Sequence, residues 1–214
     1  IVLAVNEWER EMLDTLQYRG PLNSKIITKF LTESNEKILP FLVSNVDDYP
    51  REAIEGLHDV LKAMKLPERD LKWSIRVNAL YDWNGREELM NLTFKKKRDG
   101  ATDDNQLKTI MLLTWMTSSS YPELRAILIR HITDILPDNP RLSASACELF
   151  HDCDDPYVLR GIYCAIYGMT LRIRDVEPVC AVAKAVYKYC YEEGANIPND
   201  LLVRQWTMKI IERA

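Results

Sequence analysis

Apolar residues recur at steps of three and four along this chain, and no segment alternates with period two. A strand turns successive side chains to opposite faces, whereas a helix returns to the same face every 3.6 residues. The spacing therefore predicts helices and excludes a sheet as the organising element. Glycine use agrees, because 7 glycines in 214 residues are too few for the turns of an α/β or sandwich fold.

Prolines and polar clusters mark where helices start and stop. A first helix is expected from Ile1 to Tyr18, ended by Arg19-Gly20-Pro21, and a second segment from Asn23 or Ser24. An apolar stretch from Lys37 to Val46 is interrupted by Pro40. Asp48-Tyr49-Pro50 opens a helix with a stripe of Ile54, Leu57, Val60, Leu61 and Met64. Pro67 suits the first turn of the next helix, expected to run through Leu71, Ile75 and Leu80 to Asn84-Gly85. The charged stretch from Arg86 to Ala101 is expected to be a short helix and then a loop.

The second half is cleaner. Helices are expected from Asp103 to Thr117, from Pro122 to Ile135, and over Ala144, Cys147 and Phe150. Another should run from Pro156, capped by Asp155, to Gly168. The last two run from Asp175 to Tyr191 and from Asn199 or Asp200 through Trp206 and Ile210. Short loops place consecutive helices antiparallel. The expected fold is all-α, with antiparallel helix pairs stacked as a HEAT-like or TPR-like α-solenoid. Residues 1–100 would form an N-terminal helical part and 101–214 a C-terminal repeat part of one continuous array. A weak repeat supports stacking: Leu124-Arg125 with Ile127, Arg130 and Ile132 resembles Val203-Arg204 with Trp206, Lys209 and Ile211.

The net charge of −4 argues against a surface built to neutralise phosphates, so nucleic acid is not the expected partner. The run Lys95-Lys96-Lys97-Arg98 is followed by Asp99, Asp103 and Asp104, and reads as a solvated loop. No apolar run reaches the ~18 residues of a membrane span. Five cysteines, an odd number on apolar faces, suit free thiols in a reducing, cytoplasmic setting. The chain lacks an initiator Met and ends within a helical pattern, as a piece of a larger protein would.

A search for chemistry returns little. No glycine-rich phosphate cradle exists, so no nucleotide or other cofactor is expected. Cys147, His151 and Cys153 form the best metal set, with Cys147 and His151 on one helix face. A structural zinc site wants a fourth ligand and paired spacing, so no metal site is expected. No thiol–His or opposed carboxylate pair is evident, and no catalytic residue is assigned. Tyr157, Tyr163, Tyr167, Tyr187, Tyr189 and Tyr191 read first as packing between helices, and second as a groove for a protein ligand.

One set of motifs carries a resemblance. Leu112-Leu113-Thr114-Trp115 leads through Ser118-Ser119-Ser120 into Pro122-Glu123-Leu124-Arg125. Asp154-Asp155-Pro156-Tyr157-Val158-Leu159-Arg160 and Ala165-Ile166-Tyr167-Gly168 follow, then Leu202-Val203-Arg204 and Ile210-Ile211-Glu212. In order and spacing, residues 107–214 resemble the helical C-terminal region of bacterial STAND-type, NACHT-like antiviral defence ATPases. The family pattern often has Asp directly after the Arg of the Leu-Arg segments; here Ala126 and Gln205 stand there. The motif positions Trp115, Leu124, Arg125, Asp155, Pro156, Tyr157, Arg160, Tyr167, Gly168 and Arg204 are read as capping and packing residues.

The resemblance implies a multidomain protein with an effector, a central ATPase and a helical sensor. Such a sensor binds a viral protein, and the ATPase then drives oligomerisation. The implied partners are a phage protein, the other domains of the same chain and further copies of it. Two alternatives stay open: a HEAT-like scaffold for self-assembly, and a helical accessory domain of a nuclease.

Overall fold

A computed structural model describes residues 39, 42–43, 46–47, 49–82, 102–195 and 197–214. The expected helix over 1–18, the segment from residue 23, the 86–101 stretch with Lys95–Arg98, and the boundary at 100/101 lie outside the described residues. Within them every regular element is helical. No described helix is long and apolar enough to cross a membrane.

Helix α1 spans Arg51–Ala63, with Ala53, Ile54, Leu57, His58 and Leu61 buried. Helix α2 (Leu66–Arg69), a π-helical turn (Asp70–Ser74) and α3 (Ile75–Asp82) run on without a break and together form a crossbar. Then follow α4 (Asp103–Met116), α5 (Pro122–Ile135), a 3₁₀ turn (Leu136–Asp138), α6 (Arg141–Phe150), α7 (Pro156–Thr170), α8 (Val176–Cys190) and α9 (Leu201–Glu212). One hydrophobic core runs from Leu39 to Ile210.

The helices alternate between two rows. In one, α4 packs on α6 and α6 on α8; in the other, α5 packs on α7 and α7 on α9. Each helix also packs on its chain neighbour, giving the pairs α4–α5, α6–α7 and α8–α9, and α1 extends the first row by packing on α4. Within a row the helices are parallel. Arg160, near the start of α7, donates to Asp200 at the start of α9, and Arg213 at the end of α9 donates to the Thr170 carbonyl at the end of α7. Helix α4 touches both rows and is buried continuously from Gln106 to Met116, polar Gln106, Lys108, Thr109 and Thr114 included.

The second row repeats one register. Counting from the first residue of each helix, α5 and α7 turn the same four positions inward, Leu124, Leu128, Ile132 and Ile135 in α5 and Val158, Ile162, Ile166 and Met169 in α7; α9 shares the first two, Val203 and Thr207, and then buries Ile210 one residue earlier. The steps of four, four and three trace one helix face. The similarity of the Leu124-Arg125 and Val203-Arg204 segments is this shared register seen in sequence.

Two features go beyond local sequence rules, and the second overturns an expectation. Leu71 and Ile75 of the crossbar are 67% and 54% exposed, and the inward stripe is Arg69, Trp73, Val77 and Leu80. Leu71 and Leu80 stand half a turn apart on an ideal α-helix, so the apolar residues of this stretch mark two faces. Polar contacts decide the face instead, since Trp73 Nε1 donates to the Trp115 carbonyl at 2.9 Å. The second feature is Gly168, which does not end α7; the helix continues to Thr170. A Cβ at Gly168 would lie 2.9 Å from Thr133 Cγ2, so this glycine is where α5 and α7 come closest at their C-terminal ends.

That contact makes a prediction. Alanine gains about 1 kcal/mol over glycine in a helix interior, but the overpacking here should cost about 1–3 kcal/mol. Gly168→Ala should therefore lower the unfolding free energy by up to about 2 kcal/mol in urea titrations. In a Thr133→Ser background, which removes the opposing methyl, the same change should be neutral or stabilising.

Candidate functional site

The motif residues of the resemblance collect where the crossbar meets the turns between rows. Asp155 caps α7: its Oδ1 accepts from the amides of Tyr157 at 2.9 Å and Val158 at 3.3 Å. Pro156, with no amide proton, fills the first helical position at no cost. The cap fixes the start of α7, from which Tyr157 projects outward with 42% of its surface exposed. Its ring lies under the Arg125 guanidinium at 4.4 Å and near that of Arg160 at 5.7 Å. Arg160 donates Nε and Nη2 to Asp200 Oδ2 at 2.9 and 2.6 Å, and Asp200 in turn caps α9. The Arg160 guanidinium holds the Asp200 carboxyl below its ordinary range.

Behind Asp155 lies Arg69, fully buried. Its Nη1 donates to the carbonyls of Leu61 at 2.9 Å and Met64 at 3.2 Å, at the end of α1. Its Nη2 pairs with Asp154, and Nε sits 3.6 Å from Asp155 Oδ2. The guanidinium also stacks 5.3 Å from the centre of a Trp115 ring. Burial pushes the Asp155 carboxyl up, while the α7 amides and Arg69 pull against that shift. Trp115 continues the chain of polar contacts inward, donating Nε1 to His58 Nδ1 at 3.1 Å.

The rest of the crossbar is held by the connection between α4 and α5. Ser74 Oγ donates to Ser118 Oγ at 3.0 Å, Ser119 Oγ to Asn78 Oδ1 at 2.6 Å, and Asn78 Nδ2 to Ser120 Oγ at 2.9 Å. The three serines do break the chain between helices, but Ser118 and Ser119 are inside, bonded to the crossbar. Between the crossbar and the start of α7 this leaves a cleft of about 520 Å³, with Ile75, Tyr157 and Pro156 as apolar walls and Asp70, Asn78 and Arg160 among its polar groups. A space of this size takes a small molecule or a few side chains of a partner.

The other motif residues are elsewhere. Leu124 is core, Tyr167 and Gly168 lie near the far end of α7, and Arg204 is exposed on α9. The Cys147, His151 and Cys153 set does not converge: among the described residues no three His, Cys, Asp or Glu could hold a metal ion. Cys147 is buried and its thiol is pushed well up by desolvation; the Cys153 thiol is pushed up to about 12 by burial. His151 Nδ1 is 2.8 Å from the Glu148 carbonyl, and its ring stacks on Tyr189 at 4.9 Å. All five thiols are free, with Cys164 and Cys180 half-buried. Of the remaining tyrosines, Tyr163 is interior against Cys190 Sγ at 3.2 Å, and Tyr191 bonds Thr207 at 2.6 Å.

Sequence reasoning missed Arg69, Trp73 and Asn78. One signal was present: Arg69 stands two residues after Pro67, the interval that places Val158 after Pro156 and Leu124 after Pro122 in the core. Comparison of the chain with protein-family models, with curated proteins and with solved structures gives no match.

Two outcomes follow from the buried network. Removing one partner of a buried pair strands the other, so Arg69→Met should cost about 3–5 kcal/mol by urea denaturation. Adding Asp155→Asn, which keeps an N-cap, should restore a large part of that loss. Burial, helped by Lys62, holds the His58 imidazole below its ordinary value of 6.5. The unfolded chain then binds more protons than the folded one as pH falls below that value, so stability is full above pH 6.5 and drops beneath it. Protonating Nδ1 would also remove the acceptor for Trp115. His58→Gln should flatten the acid limb of a plot of denaturation midpoint against pH.

Proposed function

We propose that this chain is a protein-recognition module of a STAND-type antiviral ATPase: a stretch of HEAT-like or TPR-like α-solenoid that binds a viral protein and passes the event to ATPase and effector domains. The observation that carries the reading is the common inward register of α5, α7 and α9, each helix packing on its chain neighbour and on the next helix of its row. Nearest-neighbour packing of this kind is how stacked helical repeats build long surfaces for other proteins. The motif residues add support, because Asp155, Pro156, Tyr157 and Arg160 form one edge of an open cleft and Arg125 lies on the Tyr157 ring. In this reading the chain does no chemistry; its work is to hold a surface in shape.

The reading is tested by the coding sequence on either side. A G-x-x-x-x-G-K-S/T segment upstream in the same reading frame is expected, since a STAND protein carries its nucleotide cradle in that position. Helical segments continuing on both sides without such a cradle would overturn the assignment.

A further inference from the structure

We propose that the cleft between the crossbar and the start of α7 receives a basic, amphipathic segment of a partner protein. An apolar side chain of that segment packs between Ile75 and Tyr157, and a cation beside it meets the Asp70 carboxylate. The proposal rests on the protein-recognition reading and names the surface and the ligand chemistry.

Exposed apolar side chains are ordinary when scattered, and informative when they surround a concavity. Ile75 and Tyr157 line opposite walls of the 520 Å³ cleft and are 54% and 42% exposed. Leu71, one turn before Ile75, is 67% exposed and extends the strip along the crossbar. The π-helical turn lies in this stretch, and such insertions recur at functional positions in helices.

Charge decides the partner's sign. The cations nearby are occupied: Arg160 by Asp200 at 2.6 Å, Lys72 by Glu68 at 2.6 Å, and Arg69 by Asp154 and Asp155 together. Arg125 has no carboxylate among the described residues, but it lies on the Tyr157 ring and donates Nη1 to the Ser119 carbonyl at 2.6 Å. Asp70 and Asp82 are exposed, and among the described residues they meet hydroxyls and no cation: Ser74 Oγ at 3.1 Å and Tyr121 Oη at 3.2 Å. The Asp82 carboxylate accordingly raises the Tyr121 phenol above its ordinary range. Asp70, the lining carboxylate with no cation among the described residues, favours a lysine or arginine beside an apolar anchor, and Asp82 lies further along the same helix.

The test uses the full chain and two labelled peptides: an amphipathic Leu/Ala/Lys helix, and the same sequence with Glu for every Lys. Fluorescence anisotropy should give binding of the Lys peptide only. Ile75→Ser and Tyr157→Ala, both at exposed positions, should each weaken it about tenfold or more, as loss of a central anchor does. Asp70→Lys should weaken it similarly, while Asp138→Lys, the same charge change on the exposed 3₁₀ turn after α5, should leave it unchanged. Equal binding of the Glu peptide, indifference to Ile75→Ser and Tyr157→Ala, or an equal effect of Asp138→Lys would overturn the proposal. The two readings fail separately. Peptide binding without an upstream nucleotide cradle keeps the cleft and removes the ATPase, and a cradle without peptide binding moves recognition to another surface.

Discussion

Burying a guanidinium is expensive, and this fold buries one completely at Arg69. The cost is met by partners on three sides, although Nε, 3.6 Å from Asp155 Oδ2, makes no hydrogen bond. Carbonyls at the end of α1 fill one side, the carboxylates of Asp154 and Asp155 another, and a Trp115 face a third. Those partners come from different helices. None is in place until α1, α4, the crossbar and the turn before α7 have reached their final positions. Asp155 tightens the requirement, because the carboxylate that faces Arg69 also caps α7. The direction in which α7 leaves its turn, and hence the placement of Tyr157, is tied to a charge on α2, with four helices between them in the chain.

An aliphatic residue at position 69 would match the second row, where Leu124 and Val158 likewise stand two residues after a proline and are buried. Such a residue would be indifferent to small slides of the crossbar across the turns. A forked donor with fixed geometry is not indifferent. The serine–asparagine contacts at Ser74 and Asn78 extend the same logic along the crossbar: each is short-ranged and directional, and each is made to the connection between α4 and α5. Apolar burial supplies the bulk of the stabilisation, and these polar contacts select one arrangement among similar ones.

The helices of the two rows were largely legible in sequence because their ends obey local rules. Pro122, Asp155-Pro156 and Asp200 start α5, α7 and α9 as capping chemistry predicts, and the stripe of α1 was read nearly residue for residue. The crossbar was legible as a helix and not as a face. Its inner side is chosen by Arg69 and Trp73, whose reasons for being inside are acceptors in distant turns. A hydrophobic count favours Leu71 and Ile75, which face out. Gly168 was misread for a related cause: a glycine late in a helix suggests a stop, whereas the reason for it lies across the interface at Thr133. The candidate site sits between these cases. Asp155, Pro156, Tyr157 and Arg160 are adjacent in sequence and were singled out, but Arg125, Asp70 and Ile75 join them only through packing.

The same polar economy shapes the surface. A cation committed to a neighbouring connection, as Arg160 is to Asp200, no longer contributes its charge to the rim of the cleft. The interior works likewise: Arg69 draws in two carboxylates and neutralises one. Ordering the turns therefore consumes positive charge near the crossbar and leaves Asp70 exposed at the cleft that Ile75 lines, with Asp82 exposed at the far end of α3. An acidic rim around an apolar wall is then a by-product of how the helices are locked together. Any partner that uses the cleft must complement a surface whose sign was set by the demands of packing.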